Sequence, residues 1–545
     1  MGAGEPGWLG RGDRVDSRLV TTGLPADPVR RDRLVIGLAY AVAWGALVVN
    51  RGLYWDDWTL MGLPPAALVG GFGELGMPWA GYFYAALFSL PLPGLIGHIL
   101  AFSAYLLSAL VLHAVLRRTP GLSRIDALVA ALTFAVLPVN YARIAVIDLP
   151  YGLSLLAFLA ATWLLIRYLE DGGLWRRVAA LVLFVCSFFT ASLLLLYVVP
   201  LAIGARIVWK SSRMPLRSLV SRHADFLALP VAYWLLKSAL FTPGGVYEGY
   251  NALTVRGLAQ VPQLMLSMPT QVLVEPLYRA VTVAGLIGIA VGAAATVWLL
   301  RRSQFVERGS FVAAPVLALI GIVVLGLGVF AYLAVGRVPT IWDWSSRHQL
   351  LVPLGAGLLL AAAARGVTSA GRAAPAFAVA VGLLLGVSAV ADARTLVAYQ
   401  ADWFKQTALI DAARSIPAMR SARHIRVIDA ATVFNTLRRT YRFYEYNALF
   451  SEALGDTRRL ASDAANEPRP EDIGQFIARP AYHMGQYVPS PVDLELRVSS
   501  NGYPGGLQIL RLVGLEALGS PSFASDVSRL IDVRATPIVG SLPLP

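Results

Sequence analysis

Cysteine is almost missing from this chain: Cys186 is the one cysteine in 545 residues. No disulfide can form within it, and thiolate metal sites built on paired cysteines are excluded. The six histidines (His98, His113, His223, His348, His424 and His483) are scattered, without the spacing of a metal site. Charge is scarce as well. Only 14% of residues are charged and 57% are hydrophobic, whereas a soluble globular chain carries about 25% charged residues. Such a composition predicts a polytopic membrane protein. Lysine is the rarer cation, since Lys210, Lys237 and Lys405 are the three lysines among 46 basic residues. This arginine bias suggests a GC-rich bacterial genome, which concerns origin rather than mechanism.

Long apolar runs are what the chain does have. Residues 1–33 read as a polar, disordered cytoplasmic tail ending in Arg30-Arg31-Asp32-Arg33. No small-residue cleavage site follows the first run, Leu34 to Val49, so it reads as an uncleaved span. Gly70 to Pro93 is apolar but broken by Gly, Pro and aromatics, which predicts an interfacial or partly re-entrant segment. Further spans are expected near 95–116, 125–140, 149–168, 176–190, 191–208, 224–242, 277–300, 311–335, 348–365 and 374–393. With the first run, the expectation is about eleven transmembrane helices across a 34–394 membrane domain.

Cations set the orientation. With the N-terminus inside, the cytoplasmic connections hold Arg117, Arg118, Arg124, Arg176, Arg177, Lys210, Arg213, Arg217, Arg222, Arg301, Arg302, Arg308 and Arg372. The alternate connections hold only Arg51, Arg143, Arg256, Arg337 and Arg347 as clear loop cations. That asymmetry follows the positive-inside rule. The formal charge of +13 therefore records orientation in a plasma membrane, and it argues against a nucleic-acid partner. An odd span count puts residues 395–545 outside as a soluble α/β domain. There, Tyr399 to Ala413 and Tyr444 to Phe450 have helical spacing. His424 to Asp429, Asp493 to Val498 and Leu507 to Leu515 read as strands. No internal repeat is visible in the spans, which weakens transporter folds built on inverted halves.

The polar residues of interest cluster in the outer loops. Tyr54-Trp55-Asp56-Asp57-Trp58-Thr59 places adjacent carboxylates between tryptophans at the expected outer surface, with Glu74 in the same loop. Carboxylates beside a bilayer must be solvated or paired and are commonly functional. The bland alternative is that Asp57 caps a short helix and the indoles are interfacial anchors. In the next outer loop, Arg143 and Asp148 precede a span, and Asp148 is favoured as a helix cap with Pro150 in the first turn. The loop from Phe241 to Pro276 reads as a mobile cover. The loop Gly336 to Gln349 brings Arg347 and His348 to a span mouth, where a guanidinium suits a phosphate. The alternative there is an i,i+4 ion pair between Arg347 and Asp343. Lys237 either snorkels from its span or reaches the same phosphate.

This layout resembles the GT-C superfamily of integral-membrane glycosyltransferases, with Trp55-Asp56-Asp57-Trp58 where that superfamily carries an acidic motif in the first outer loop. The Trp-Trp-Asp-type signature of oligosaccharyltransferases is missing from the soluble domain, which argues against protein N-glycosylation of that kind. The resemblance implies a polyprenyl-phosphate-linked sugar donor, an extracytoplasmic glycan, lipid or protein acceptor, and inversion at the anomeric carbon. It also implies Asp56 as general base, with a cation or divalent metal ion on the leaving phosphate. The competing readings are a polytopic lipid or glycan flippase and a non-catalytic scaffold. A flippase predicts ionisable residues within the spans, and apart from Lys237 and a few histidines the spans read as poor in them.

Overall fold

A computed structural model describes residues 27–211, 216–249, 252–302, 312–369 and 374–538. The tail at 1–26 and the loop cations Arg213, Arg308 and Arg372 lie outside these residues. Among the described residues, six helices are long and apolar enough to cross a membrane: Pro28–Val49, Pro93–Arg118, Val146–Asp171, Ala191–Trp209, Ala314–Leu333 and Ala378–Ser415. Two bent pairs, Leu258–Ala280 with Gly285–Ala294 and Asp343–Gln349 with Val352–Val367, raise the number to eight if each is one span. Three segments expected to cross are shorter. Arg124–Val136 has 13 residues, Leu174–Ser187 has 14 and Ala224–Leu240 has 17, against the roughly 20 that a bilayer core requires. The architecture is that of a polytopic helical protein with a small mixed sheet.

The broken segment after the first span folds into two short helices, Pro65–Glu74 and Pro78–Phe88. Each begins at a proline, which suits a first helical turn because its missing N–H has no acceptor there. They pack so closely that a Cβ on Gly81 would stand 2.5 Å from the Cα of Val69. Glycine is required at that crossing.

One helix, Ala374–Ser415, runs for 42 residues and ignores the expected domain boundary near residue 394. No glycine or proline interrupts it between Val387 and Ile416, so the change in composition alters the helix's surroundings but not its backbone. At about 1.5 Å per residue it is roughly 60 Å long. Its buried positions include Leu396, Tyr399, Phe404, Leu409 and Ala413, and they place one continuous core across both regions.

The sheet beside the upper half of this helix has the order β2-β1-β3-β4. Strands β1 (His424–Asp429), β2 (Leu460–Ser462) and β3 (Leu494–Ser500) are parallel, and β4 (Ile531–Pro537) runs antiparallel to β3. Val427 aligns with Leu496, and Val498 with Val533. The expected strand at Leu507 to Leu515 is instead part of a helix, Gly506–Ala517. Its buried residues are Ile509, Leu512 and Val513, a helical spacing, and the exposed Leu507 and Leu510 disguised it as an apolar strand. The strands Leu460–Ser462 and Ile531–Pro537 were not anticipated.

Candidate active site

Two adjacent aspartates begin the short helix Asp57–Leu60, and they face different surroundings. Asp57 is fully buried. Its Oδ2 accepts from the amides of Tyr54 and Val146, each at 2.9 Å, and its Oδ1 accepts from the amide of Ile147 at 2.7 Å. It therefore ties the loop after the first candidate span to the segment at Val146 and Ile147 rather than capping its own helix forwards. Burial pushes its carboxyl up to about 7, although the three amides pull the other way. Asp56 is half-buried. One of its oxygens accepts from the hydroxyl of Tyr444 at 2.7 Å, and among the described residues the other has no hydrogen-bond partner. Burial raises its carboxyl above the ordinary range, against the hydrogen bond from Tyr444 and the positive fields of Arg347 and Arg442.

Tyr444 comes from a region the sequence did not connect to this loop. It lies in the first turn of the helix Phe443–Leu454, which covers the aspartates. The helix is locked in place by Glu445. Its Oε1 accepts from the amide of Arg442 at 2.9 Å, and its Oε2 accepts from the amide of Trp55 at 3.1 Å and from the Arg439 guanidinium. Arg439 also pairs with Asp402 on the long helix at 3.0 Å, and the Tyr441 hydroxyl donates to Asp402 at 2.7 Å. Asp402, Arg439 and Glu445 are all buried. Burial likewise lifts the Glu445 carboxyl to about 7 while Arg439 draws it down.

Trp55 itself is left-handed at φ 50°, and so is Asp343 at φ 49°, an unfavourable region for side chains other than glycine. The two residues hold each other, since the Trp55 indole N–H donates to Asp343 Oδ1 at 2.6 Å. Asp343 also pairs with Arg442 at 3.3 Å. Strain of this kind persists where surrounding contacts determine it, and it gathers at functional sites.

The remaining expected residues divide into those that reach this site and those that do not. Arg347 stacks over Trp344 at 4.3 Å, and Trp344 packs on Trp55 with ring centroids 5.3 Å apart. The Arg347 guanidinium acts on both Asp56 and Asp148. His348 is buried against Tyr332 with ring centroids 5.2 Å apart, beside Arg347. Asp148 makes no side-chain cap, contrary to expectation, and its buried Oδ2 has no hydrogen-bond partner. Chain direction explains this: the residue is already helical at φ −89°, ψ −1°, whereas a capping residue is extended. Arg143 is held between the rings of Trp44 (3.7 Å) and Tyr105 (4.2 Å), and its Nε donates to the Asn140 carbonyl. Its field falls on Asp392 rather than Asp56. Glu74 is exposed and pairs with Arg479 at 3.0 Å, a contact between the segment after the first candidate span and the sheet-bearing region. Lys237 stays half-buried on Ala224–Leu240 and does not act on Asp56. Asp392, buried in the last candidate span in the fields of Arg143 and Arg279, corrects the reading of the spans as poor in ionisable groups.

Tyr444, Glu445, Arg439, Arg442 and Asp402 were missed as site residues. The one local signal was Arg442-x-x-Glu445, a glutamate at the third position of a helix. Among the described residues no group of three or more His, Cys, Asp or Glu side chains is placed to hold a metal ion. The cations acting on Asp56 are the guanidinium groups of Arg347 and Arg442, a kind of group that suits an anion. Comparison with family models, curated proteins and solved structures gives no match for this chain.

Proposed function

We propose that the chain is a membrane glycosyltransferase of the GT-C kind, moving a sugar from a polyprenyl-phosphate donor to an extracytoplasmic glycan, lipid or protein acceptor. The observation that carries this reading is the division between the aspartates. Asp57 spends both oxygens on backbone amides, while Asp56 keeps one oxygen beside two arginines. In the reaction, the acceptor oxygen attacks the anomeric carbon and its proton passes to Asp56. The bond from that carbon to the phosphate oxygen breaks, its electron pair stays on the phosphate, and configuration inverts. Arg347 binds the departing phosphate, a role that suits a guanidinium already oriented by stacking on an indole. Tyr444 holds the base in place.

On this reading the three shorter helices also cross the bilayer, which with the eight candidate spans would make eleven crossings. On this reading the N-terminus is cytoplasmic and the soluble domain extracytoplasmic. Labelling checks this in a Cys186→Ala background. A cysteine at Ser415 reacts with an impermeant maleimide from outside intact cells, and one at Leu174 does not. The reverse pattern overturns the assignment of the site to the outer face.

The Arg347→Ala variant is expected to bind donor more weakly with unchanged thermal stability. It should also shift the acidic limb of the transfer rate upward in pH, because removing the cation raises Asp56 further. Donor affinity and a pH profile equal to those of the wild type would take Arg347 out of the site. A labelled polyprenyl-phosphate sugar in proteoliposomes tests the function itself: transfer to acceptor supports the enzyme. Translocation without transfer supports a flippase, the reading that the buried Asp392 favours.

A further inference from the structure

A cavity of about 450 Å³ opens where three stretches of chain meet: Met61 to Pro64, the helix Phe443–Leu454 with the turn after it, and Ile477 to Gly485. Small-ligand sites commonly enclose roughly 300–1,000 Å³. Its walls are apolar at Met61 and Leu63, and four polar side chains line it: Ser451, Glu452, Thr457 and His483. Among the described residues, the side chains of Ser451, Glu452 and Thr457 make no hydrogen bond or ion pair within the protein. His483 is buried, and its Nε2 has no hydrogen-bond partner. Among the described residues no arginine or lysine lines the cavity. Burial also lowers the His483 ring below its ordinary range, so the histidine adds no cation there at neutral pH. Glu452 alone gives the wall a charge.

Two stretches of chain lead from Asp56 to this cavity. The first is the cover helix. Tyr444, whose hydroxyl holds Asp56, is followed at i+4, i+7 and i+11 by Ala448, Ser451 and Gly455, which all line the cavity. Residues at that spacing share one helix face. One turn separates Tyr444 from Ala448, a rise of about 6 Å. The second stretch carries Tyr482, which packs on Tyr444 with ring centroids 6.2 Å apart and lies in the field of Asp56. His483 is the next residue. The cavity therefore begins one helical turn beyond the tyrosine that holds the carboxylate.

We infer that this cavity is the acceptor subsite and that the part of the acceptor seated in it is an uncharged, hydroxyl-rich chain, a neutral glycan. The inference rests on the glycosyltransferase reading and names its acceptor. Apolar walls with a few convergent polar groups suit a sugar. Its C–H faces pack on Met61 and Leu63, while its hydroxyls meet Ser451, Thr457 and the Glu452 carboxylate. An anionic chain would meet Glu452 with no cation beside it, a like-charge contact that costs affinity. An acyl chain would bury these polar groups without partners, which is also costly. Donor and acceptor are thus told apart by charge: arginines act on the Asp56 side, and uncharged hydroxyls with one carboxylate line the cavity.

The test blocks the cavity in the full-length Cys186→Ala protein, in membranes that hold the native acceptor, with a labelled polyprenyl-phosphate sugar as donor. Ser451→Cys carrying a bulky neutral maleimide should lose transfer and keep its affinity for the lipid donor. The same variant carrying only a methylthio group should keep both. Thr457→Cys lies outside the helix and should respond alike, which separates a blocked cavity from a helix displaced off Asp56. Transfer that persists through both blocks overturns the inference, and so does a loss of donor affinity along with transfer. The labelled product of the unblocked protein should dissolve in water, pass an anion exchanger and resist protease. Label that enters organic solvent, stays on the exchanger or is freed by protease points to a lipid, an anionic glycan or a protein, and overturns the neutral glycan. Absence of any transfer by the unblocked protein instead removes the glycosyltransferase reading, and the subsite with it.

Discussion

Asp56→Asn is expected to abolish sugar transfer while leaving the protein folded, inserted and as thermally stable as the wild type. Asparagine preserves size and polarity and can still accept from Tyr444, but it cannot take the acceptor proton. A general base contributes about 10²–10⁴-fold in rate, so the loss is readily detected with a labelled lipid donor. Asp57→Asn should behave differently. Its carboxylate serves three amides through two oxygens, and an amide nitrogen in place of either oxygen leaves a buried N–H without an acceptor. That costs about 1–3 kcal/mol, seen as a lower melting temperature, with any lost activity following the lost fold. The pH dependence provides an independent readout. Because Asp56 must be ionised to act, and burial holds its carboxyl above the ordinary range, the rate should climb with pH on a limb above the value of about 4 expected for a free aspartate. Near-normal turnover by Asp56→Asn would remove the main support for a glycosyltransferase.

The second large effect is expected from Arg439→Met. The guanidinium neutralises Asp402 on the long helix and Glu445 on the cover helix, and all three side chains are buried. Removing one member of such a network leaves buried charge uncompensated, at a cost of about 3–5 kcal/mol. The loss extends to the site. Glu445 also accepts from the amide of left-handed Trp55, and the next residue along its helix toward the N-terminus, Tyr444, holds Asp56. Transfer activity and melting temperature should therefore fall together. Acid should restore part of the stability. Burial already raises Glu445 to about 7, and losing Arg439 raises it further. Protonation then relieves the strain as pH falls through the folded value toward about 4.3, the value of a free glutamate. Arg458→Ala is the matched control, since its partner Asp456 is met at an exposed surface, and it should leave both readouts unchanged. A stable, active Arg439→Met protein would show that the network does not hold the cover helix in place.

Legibility followed the range of the interactions. The Asp56-Asp57 stretch could be found because it sits at the end of an apolar run, and the inequality of its two carboxylates could be anticipated because adjacent side chains diverge. The identity of the groups that separate them was out of reach. Asp57 is satisfied by amides at Val146 and Ile147, and Asp56 by a hydroxyl at Tyr444. The strand expected at Leu507 to Leu515 failed for a related reason: leucines facing both the core and the outside erase the difference between two periodicities.

By itself the sequence determined what depends on composition and local order. Scarce charge and long apolar runs define a polytopic helical chain, and the lone cysteine rules out internal disulfides. Only the tertiary structure decided that the long helix runs unbroken to Ser415 beside the sheet and that Arg439 joins it to the helix over Asp56. It also left Arg143, Glu74 and Lys237 away from that carboxylate. The physical reason is that apolar burial follows from each residue's own chemistry, whereas a buried carboxylate is defined by the partners that balance it. Those partners lie up to hundreds of positions away and become neighbours only when the chain is packed.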